Sequence, residues 1–391
     1  MTASVVTPRF TEIGEGVVDR LPSILEGLGV TGPLVVTDRP LVENGVIDGV
    51  LQPLRVAGIE VGIFDEVSPD PTTEGVAALA EALEEGGYDS LVAIGGGSPM
   101  DTAKAAGILR TYPGTPLRDL KAPHTVGESS VPLVCVPTTA GTGSEMTRFT
   151  IITDVETNEK MLISGPGCVA IAAVIDVDLS LSMPPSITRD TGVDALTHGL
   201  EAFLSHRASP HSDLFAISGV RKVLENLPTV WDHPEDKEAR AEMMLGATHA
   251  GMAFSASSVA LIHGMSRPMG AFFHVPHGRA NAMLLGAVLD WTRPRALERL
   301  AELARATGVA DAAASTDEAA DALQQRIGAL LEKLDVPTPK AFGIDEQEWL
   351  AVVPTMAEQA LASGSPANNP GDPSAEDIRS LYRKIWGSAA A

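Results

Sequence analysis

The chain has 391 residues, of which 44% are hydrophobic and 20% are charged, so it can bury a large core and is not a disordered protein. Its 28 basic and 51 acidic residues give a formal charge of −23, which argues against nucleic-acid binding and against docking on anionic membranes. The chain has two cysteines, no basic and apolar leader and no apolar run of about 18 residues, so we expect a cytoplasmic protein without a membrane span.

The first half of the chain alternates short apolar runs with helical periodicity. The helical pattern is clearest at 75–86, where apolar residues recur every three residues. Strands are predicted at 33–37, 58–64, 90–94, 131–136 and 169–175. This alternation predicts a parallel sheet with helices on both faces.

The second half, after Pro184 and Pro185, has helical periodicity almost to its end. Helices are predicted at 187–204, 211–226, 237–253, 256–270, 294–307 and 317–334. A loop is expected at 363–373, followed by a capping signal at Ser374 for a last helix that ends near Trp386. We therefore predict an α/β domain over residues 1–180 and an all-helical domain over residues 181–391.

A glycine-rich turn follows the predicted strand 90–94. Gly96, Gly97 and Ser98 open a helix there, where free N–H groups and the helix dipole favour a phosphate. The pattern is not GxGxxG, so a tight strand-to-helix turn with Ser98 as its cap is the alternative.

A second such loop follows the strand 131–136. It holds two glycines and the hydroxyl residues Thr138, Thr139, Thr142 and Ser144. These groups can bind a ribose or a diphosphate, or they can simply cap helices. Two such loops at the ends of parallel strands together favour dinucleotide binding.

Asp38, just after the strand 33–37, is suited to a ribose 2′-hydroxyl and would repel a 2′-phosphate. It therefore favours NAD over NADP. The alternative is an exposed acidic residue in a turn.

Four residues of the helical half form a candidate metal site. Asp194 and His198 are four residues apart, so a helix places both on one face, although such pairs also occur on solvated faces. His263 follows an apolar run, which is equally typical of a core histidine, and His277 lies in an expected loop between helices. Three imidazoles and one carboxylate suit Fe²⁺, Zn²⁺ or another first-row divalent ion.

These motifs together resemble those of the iron-dependent (group III) alcohol dehydrogenases. The resemblance covers the turn at 95–101, the loop 137–147, the segments 194–202 and 263–282, and the C-terminal stretch 369–378. It implies a dehydroquinate synthase-like fold, in which an NAD-binding α/β domain precedes a helical metal-binding domain, and it implies a homodimer.

The resemblance also implies site residues. The metal ligands would be Asp194, His198, His263 and His277. The dinucleotide would be lined by Asp38, Asp70, Gly96, Gly97, Ser98, Thr138, Thr139, Thr142, Thr147, Lys160 and Leu179, with iron as the usual metal and zinc as an acceptable one. The implied reaction is NAD(H)-linked hydride transfer to or from a small alcohol, diol, hydroxy acid or aldehyde.

The chain departs from the family pattern at Arg267. Many members carry a proton-carrying histidine four residues after the third ligand, and arginine stays protonated. Arg267 could hold an anionic group of the substrate or form a structural ion pair. His274 is a second candidate for the proton carrier, or a surface residue.

Two other enzyme classes resemble this family. A lyase of the dehydroquinate synthase type would need basic residues for a phosphate-bearing substrate, and a reductase of the maleylacetate type would lack the metal ligands. The carboxylate and three histidines argue against both.

Overall fold

The computed structural model describes residues 4–157 and 159–387. The chain divides into two compact units, one over Val5–Met183 and one from Pro184 onward. The functional assignment of residues 1–180 and 181–391 stays a prediction.

The first unit is built on a parallel sheet. Its strands are β1 (Phe10–Gly14), β2 (Pro33–Val36), β3 (Gly62–Phe64), β4 (Ser90–Gly95), β5 (Leu133–Pro137) and β8 (Ala172–Asp176). They lie in the order β1-β8-β5-β4-β2-β3, and each neighbouring pair is parallel. The predicted parallel sheet is confirmed.

Helices cover both faces of this sheet. Along β4, Leu91 and Ala93 join one buried cluster while Val92 and Ile94 join the other, as the two-residue period of a strand requires. The helices are α1 (Leu21–Leu28), α2 (Arg39–Glu43), α3 (Val46–Val56), α4 (Thr73–Glu85) and α5 (Gly97–Thr111). Both faces of the sheet are therefore covered by buried apolar side chains, which leaves the strand ends as the place for a ligand.

The second unit is helical in the described residues. Its helices are α6 (Pro185–Leu204), α7 (Pro210–Asp232), α8 (Lys237–Ala256), α9 (Leu261–Phe273), α10 (His277–Thr292), α11 (Leu297–Ala306), α12 (Thr316–Lys333), α13 (Pro339–Phe342), α14 (Glu346–Ala362) and α15 (Ala375–Ile385). Ser374 and Asp377 form the capping box expected before the last helix. No single helix of the described chain is long and apolar enough to cross a membrane; α8 and α9 pass that test only as a pair bent by 103°.

Some elements differ from the sequence prediction. The predicted strand 58–64 is limited to β3, and the predicted helix 256–270 begins only at Leu261. An antiparallel hairpin of β6 (Phe149–Asp154) and β7 (Glu159–Ser164) was not predicted, although its β-branched run at 150–153 is typical of a strand. His277 is the first residue of α10 and does not lie in a loop.

Candidate active site

The four predicted metal ligands lie together in the second unit. Asp194 and His198 are one turn apart on α6, His263 is on α9, and His277 begins α10. One donor atom from each of these residues lies within 4.8 Å of the others. We call these four residues the ligand group.

Close packing of two helices brings His277 to the group. A Cβ atom at Gly278 would lie 2.3 Å from the Asp190 carbonyl oxygen and 3.3 Å from Asp194 Cβ. Only glycine therefore lets the first turn of α10 approach α6 this closely. Gly278 is thus the reason that a ligand at the start of one helix meets ligands in the middle of another.

Stacked rings fix the orientation of His198. Its ring lies 4.2 Å from the Phe254 ring and 4.4 Å from the His263 ring, both in stacked geometry. His198 and His263 are buried, whereas the side chain of His277 is 42% exposed. The ligand group is therefore closely packed on the α6–α9 side and opens to solvent at His277.

The charges of the group favour a cation. Burial alone would raise the pKa of the Asp194 carboxyl, but His198, His277 and His263 outweigh it and hold that pKa well below its usual range. Asp194 Oδ1 lies 3.6 Å from His263 Nε2 and 3.8 Å from His277 Nε2. In a tetrahedral site with metal–ligand bonds of about 2.1 Å, neighbouring ligand atoms are roughly 3.4 Å apart. Small shifts of these side chains would therefore let their donor atoms bind one divalent ion.

The buried carboxylate of Glu201 contacts His263 on the side away from the ligand group. Glu201 Oε2 lies 2.6 Å from His263 Nδ1 and accepts a hydrogen bond from Ala260 N at 2.8 Å, and Oε1 accepts one from Ile262 N. The carboxylate thereby caps the N-terminus of α9, where the helix dipole favours a negative charge. Because Nδ1 is directed to Glu201, Nε2 of His263 is left to face the ligand group.

Glu201 also raises the pKa of His263. Burial alone would lower the pKa of His263, but the charges and hydrogen bonds of Glu201 and Asp194 outweigh it and raise that pKa. A more basic imidazole is a stronger metal ligand once its proton is displaced.

Asn281 orients the carboxylate ligand. Its Nδ2 donates to Asp194 Oδ1 at 2.7 Å and lies 3.2 Å from His263 Nε2 and 3.3 Å from His277 Nε2. Its Oδ1 is buried and has no hydrogen-bond partner in the described residues. This amide therefore fixes the Asp194 side chain at the point where the ligand atoms converge.

The glycine-rich turn lies in the first unit, between β4 and α5. Gly96 is the N-cap of α5 and Gly97 its first residue, so α5 presents backbone N–H groups at this turn. Ser98 is not the cap of this helix, which was the alternative interpretation; its hydroxyl donates to the Pro69 carbonyl at 2.7 Å.

The loop after β5 packs directly on this turn. Thr138 N donates to the Gly95 carbonyl at 2.9 Å, and a Cβ atom at Gly97 would lie 3.1 Å from Thr142 Cγ2. Thr139 Oγ1 is buried without a hydrogen-bond partner in the described residues, and it would lie 3.4 Å from a Cβ at Gly96. This hydroxyl and the free helix N-terminus fit a phosphate or ribose ligand.

A buried lysine fixes that loop. Lys104 Nζ donates to Ser144 Oγ at 2.9 Å, to Thr147 Oγ1 at 3.1 Å and to the backbone carbonyls of Ser144, Thr147 and Phe149. Asp101 accepts from Ser144 Oγ at 2.8 Å. Thr147, a predicted cofactor residue, therefore also belongs to a structural network.

The other predicted cofactor residues lie near the carboxyl ends of the strands or beside the turn. Asp38 follows β2 and is the N-cap of α2, accepting from Leu41 N at 3.0 Å. Burial raises the pKa of Asp38, although the Leu41 hydrogen bond opposes this shift. Lys160 forms an ion pair with Asp70 at 2.8 Å, and Leu179 is buried after β8. Their contacts with a dinucleotide stay predictions.

The two predicted catalytic residues are placed differently. Arg267 is half-buried on α9, one turn after His263, and its Nη1 donates to Ser365 Oγ at 3.1 Å. His274 is exposed at the C-cap of α9, with a φ of 53°, and it does not belong to the ligand group. A proton-carrying role for His274 stays a prediction.

Glu201, Asn281 and Asp101 lie within the motif segments 194–202, 263–282 and 95–101, but no role was predicted for them. A signal existed for Glu201, since it follows His198 by three residues and therefore lies near the same helix face. Lys104 was missed because a lysine in a helix is usually solvated.

Two protein-family profiles match the chain. Residues 8–177 match the sequence profile of the family described as "Iron-containing alcohol dehydrogenase". Residues 188–386 match "Fe-containing alcohol dehydrogenase family, C-terminal".

Curated relatives match over nearly the whole chain. Lactaldehyde reductase of Escherichia coli (strain K12) is 36% identical over 375 residues, covering 95% of this chain and 97% of the relative. NADPH-dependent butanol dehydrogenase of Clostridium saccharobutylicum is 34% identical over 382 residues, covering 97% of each.

Solved structures share the fold. A 1,3-propanediol oxidoreductase matches with a TM-score of 0.93 and 31% identity, covering 98% of this chain and 100% of its own. Sulfoacetaldehyde reductase from Bifidobacterium kashiwanohense, in complex with NAD+, matches with a TM-score of 0.87 and 26% identity, covering 99% and 100%.

The role of Glu201 is testable through metal affinity. We expect Glu201→Gln to weaken metal binding about 10- to 100-fold, because an amide neither balances charge nor raises the basicity of His263. Competition with a chelator at fixed pH measures this affinity, and Glu225→Gln on α7 is a surface control. Unchanged affinity in Glu201→Gln would contradict the positioning role.

Proposed function

Because this chain belongs to the iron-containing alcohol dehydrogenase family, we propose that the ligand group holds its metal ion. The enzyme is a metal-dependent, NAD(H)-linked oxidoreductase that interconverts alcohols and their aldehydes. The observation that carries the residue assignment is the convergence of one carboxylate and three imidazoles within 4.8 Å.

A divalent ion in the ligand group supplies a Lewis acid, which lowers the pKa of a substrate hydroxyl or polarises a carbonyl. A dinucleotide bound by the first unit would supply the hydride acceptor or donor. The protein contributes charge and fixed geometry: Asp194 and Glu201 together offset two positive charges, while the imidazoles stay neutral ligands. Phe254 and Asn281 hold the ligands in place before the ion binds.

We propose that the dinucleotide binds at the strand ends of the first unit. Support comes from the N-terminus of α5, the buried Thr139 hydroxyl and the carboxylate of Asp38 at the neighbouring strand. A carboxylate at this place accepts from a ribose 2′-hydroxyl and repels a 2′-phosphate. We therefore expect NAD to be preferred over NADP, although one relative is named as NADPH-dependent.

Both competing activities are disfavoured by the ligand group. In a reductase that works without metal, the buried Asp194 carboxylate and the three converging imidazoles would have no ion to bind. A lyase of the dehydroquinate synthase type recycles its NAD and releases no NADH. Net NADH formation and its dependence on metal therefore separate the three activities.

The assay that tests this function is NADH formation by metal-free protein reloaded anaerobically with Fe²⁺ or with Zn²⁺. Short alcohols and diols are the substrates, and NADP replaces NAD in a parallel series. We expect one ion to restore activity that chelator removes, and NAD to give the higher kcat/KM. Activity without metal would favour the metal-independent reductase, and no NADH with either ion would contradict the proposal.

We also propose a cytoplasmic homodimer. Strand β1 is the edge of the parallel sheet, and its Phe10 and Ile13 are 48% and 42% exposed, so the edge is available for pairing. Light scattering should give twice the chain mass of 40.8 kDa, and a stable monomer at micromolar concentration would contradict this proposal.

A further inference from the structure

Arg267 is a cation beside the ligand group with an incomplete set of partners. One acceptor, Ser365 Oγ at 3.1 Å, bonds its Nη1, whereas a guanidinium has five N–H donors. No carboxylate of the described residues lies within 4.0 Å of its nitrogens. The structural ion pair that the sequence left open is therefore not formed within the described chain.

Other arginines of the second unit have a carboxylate partner. Arg189 and Arg279 both pair with Asp190, at 2.8 Å each. The charge of Glu201 raises the pKa of Arg267 against the effect of burial, but the two carboxylate oxygens of Glu201 already accept hydrogen bonds from Ala260, Ile262 and His263. Glu201 thus lowers the electrostatic cost of burying Arg267 without serving as its hydrogen-bond partner.

Arg267 stays charged at neutral pH. Burial lowers the pKa of its guanidinium to about 10, which is still far above the pH of the cytoplasm. It cannot carry a proton from the substrate, but it can bind an anion.

The fold holds Arg267 in place for this task. A Cβ atom at Gly264 would lie 2.7 Å from Pro366 Cδ, so only glycine lets the segment 363–369 lie against α9. Asn368 ties the same segment down by donating to the Val259 carbonyl at 3.0 Å. This packing brings the Ser365 hydroxyl to the guanidinium, which limits its motion while leaving its other donors available.

The spacing favours a short ligand. Arg267 follows His263 by four residues, which places both side chains on one face of α9, one turn apart. A chain of about three or four carbons therefore suits a hydroxyl at the ligand group and a carboxylate at Arg267.

We propose that Arg267 is a specificity-determining residue that binds the carboxylate of a short ω-hydroxy acid, or of the matching aldehyde acid, whose other end lies at the ligand group. A guanidinium binds a carboxylate through two parallel hydrogen bonds, which also fixes the orientation of the chain. The inference rests on the proposed function and names the substrate class for that same site.

The test compares 4-hydroxybutanoate with 1,4-butanediol, which has the same length but no charge. Wild type, Arg267→Lys and Arg267→Met are assayed with NAD and the activating metal, and Arg221→Met on α7 is the charge-matched control. We expect wild type and Arg221→Met to prefer the acid. Arg267→Met should lower the acid-to-diol ratio of kcat/KM about 10- to 100-fold, because a charge-assisted hydrogen bond is lost, and Arg267→Lys should lower it less.

Butanoate binding by calorimetry gives a readout that needs no turnover. Wild type should bind butanoate at least about tenfold more tightly than Arg267→Met, or than Arg267→Gln if the methionine variant does not fold. An unchanged acid-to-diol ratio or unchanged butanoate affinity would overturn the proposal, as would a wild-type preference for the diol. Absence of NADH with both substrates would instead contradict the proposed function, and butanoate binding would still decide the role of Arg267.

Discussion

The buried carboxylate of Glu201 is the interaction on which the candidate metal centre depends. It begins α9 by accepting from Ala260 N and Ile262 N, and it orients His263 through Nδ1. A charged group at 3% exposure is costly to bury unless it is fully hydrogen-bonded, and here three donors satisfy it. One side chain thus sets both the position of a helix and the direction of a ligand.

The carboxylate of Glu201 also affects the charge balance between the ligand group and Arg267. Asp194 and Glu201 give the site two negative charges, which match one divalent ion and leave Arg267 as the net local cation. An overall charge of −23 repels anionic metabolites, so an anionic substrate needs such a local positive site. Helix α9 contributes a residue to each end, His263 to the ligand group and Arg267 to the proposed carboxylate site, one turn apart.

Much of this architecture could be predicted from sequence, because its signals are local. Apolar runs before Gly95 and Thr138 predicted buried parallel strands, and the spacing of Asp194 and His198 placed both on one helix face. A break after α8 was predicted, but α9 was expected to begin at 256 and begins at Leu261. Its N-terminus is capped by Glu201, which lies 59 residues before Ala260, so local periodicity does not report this start. The roles of Lys104 and Asn281 likewise depend on contacts across the fold, which periodicity does not report.

Glycines show the same division between local and distant causes. Gly96 and Gly97 were identified from their place after a strand, whereas Gly278 and Gly264 matter only because another segment packs against them. A sequence reveals a turn more readily than it reveals a close approach.

The central claim is that Asp194, His198, His263 and His277 hold one divalent ion. Crystals grown anaerobically with Fe²⁺ would test it through anomalous difference maps recorded on both sides of the iron absorption edge. The account predicts one strong peak bonded to Asp194 and the three histidines, and its loss in crystals of Asp194→Asn. An iron peak elsewhere, or one that persists at full strength in Asp194→Asn, would contradict it.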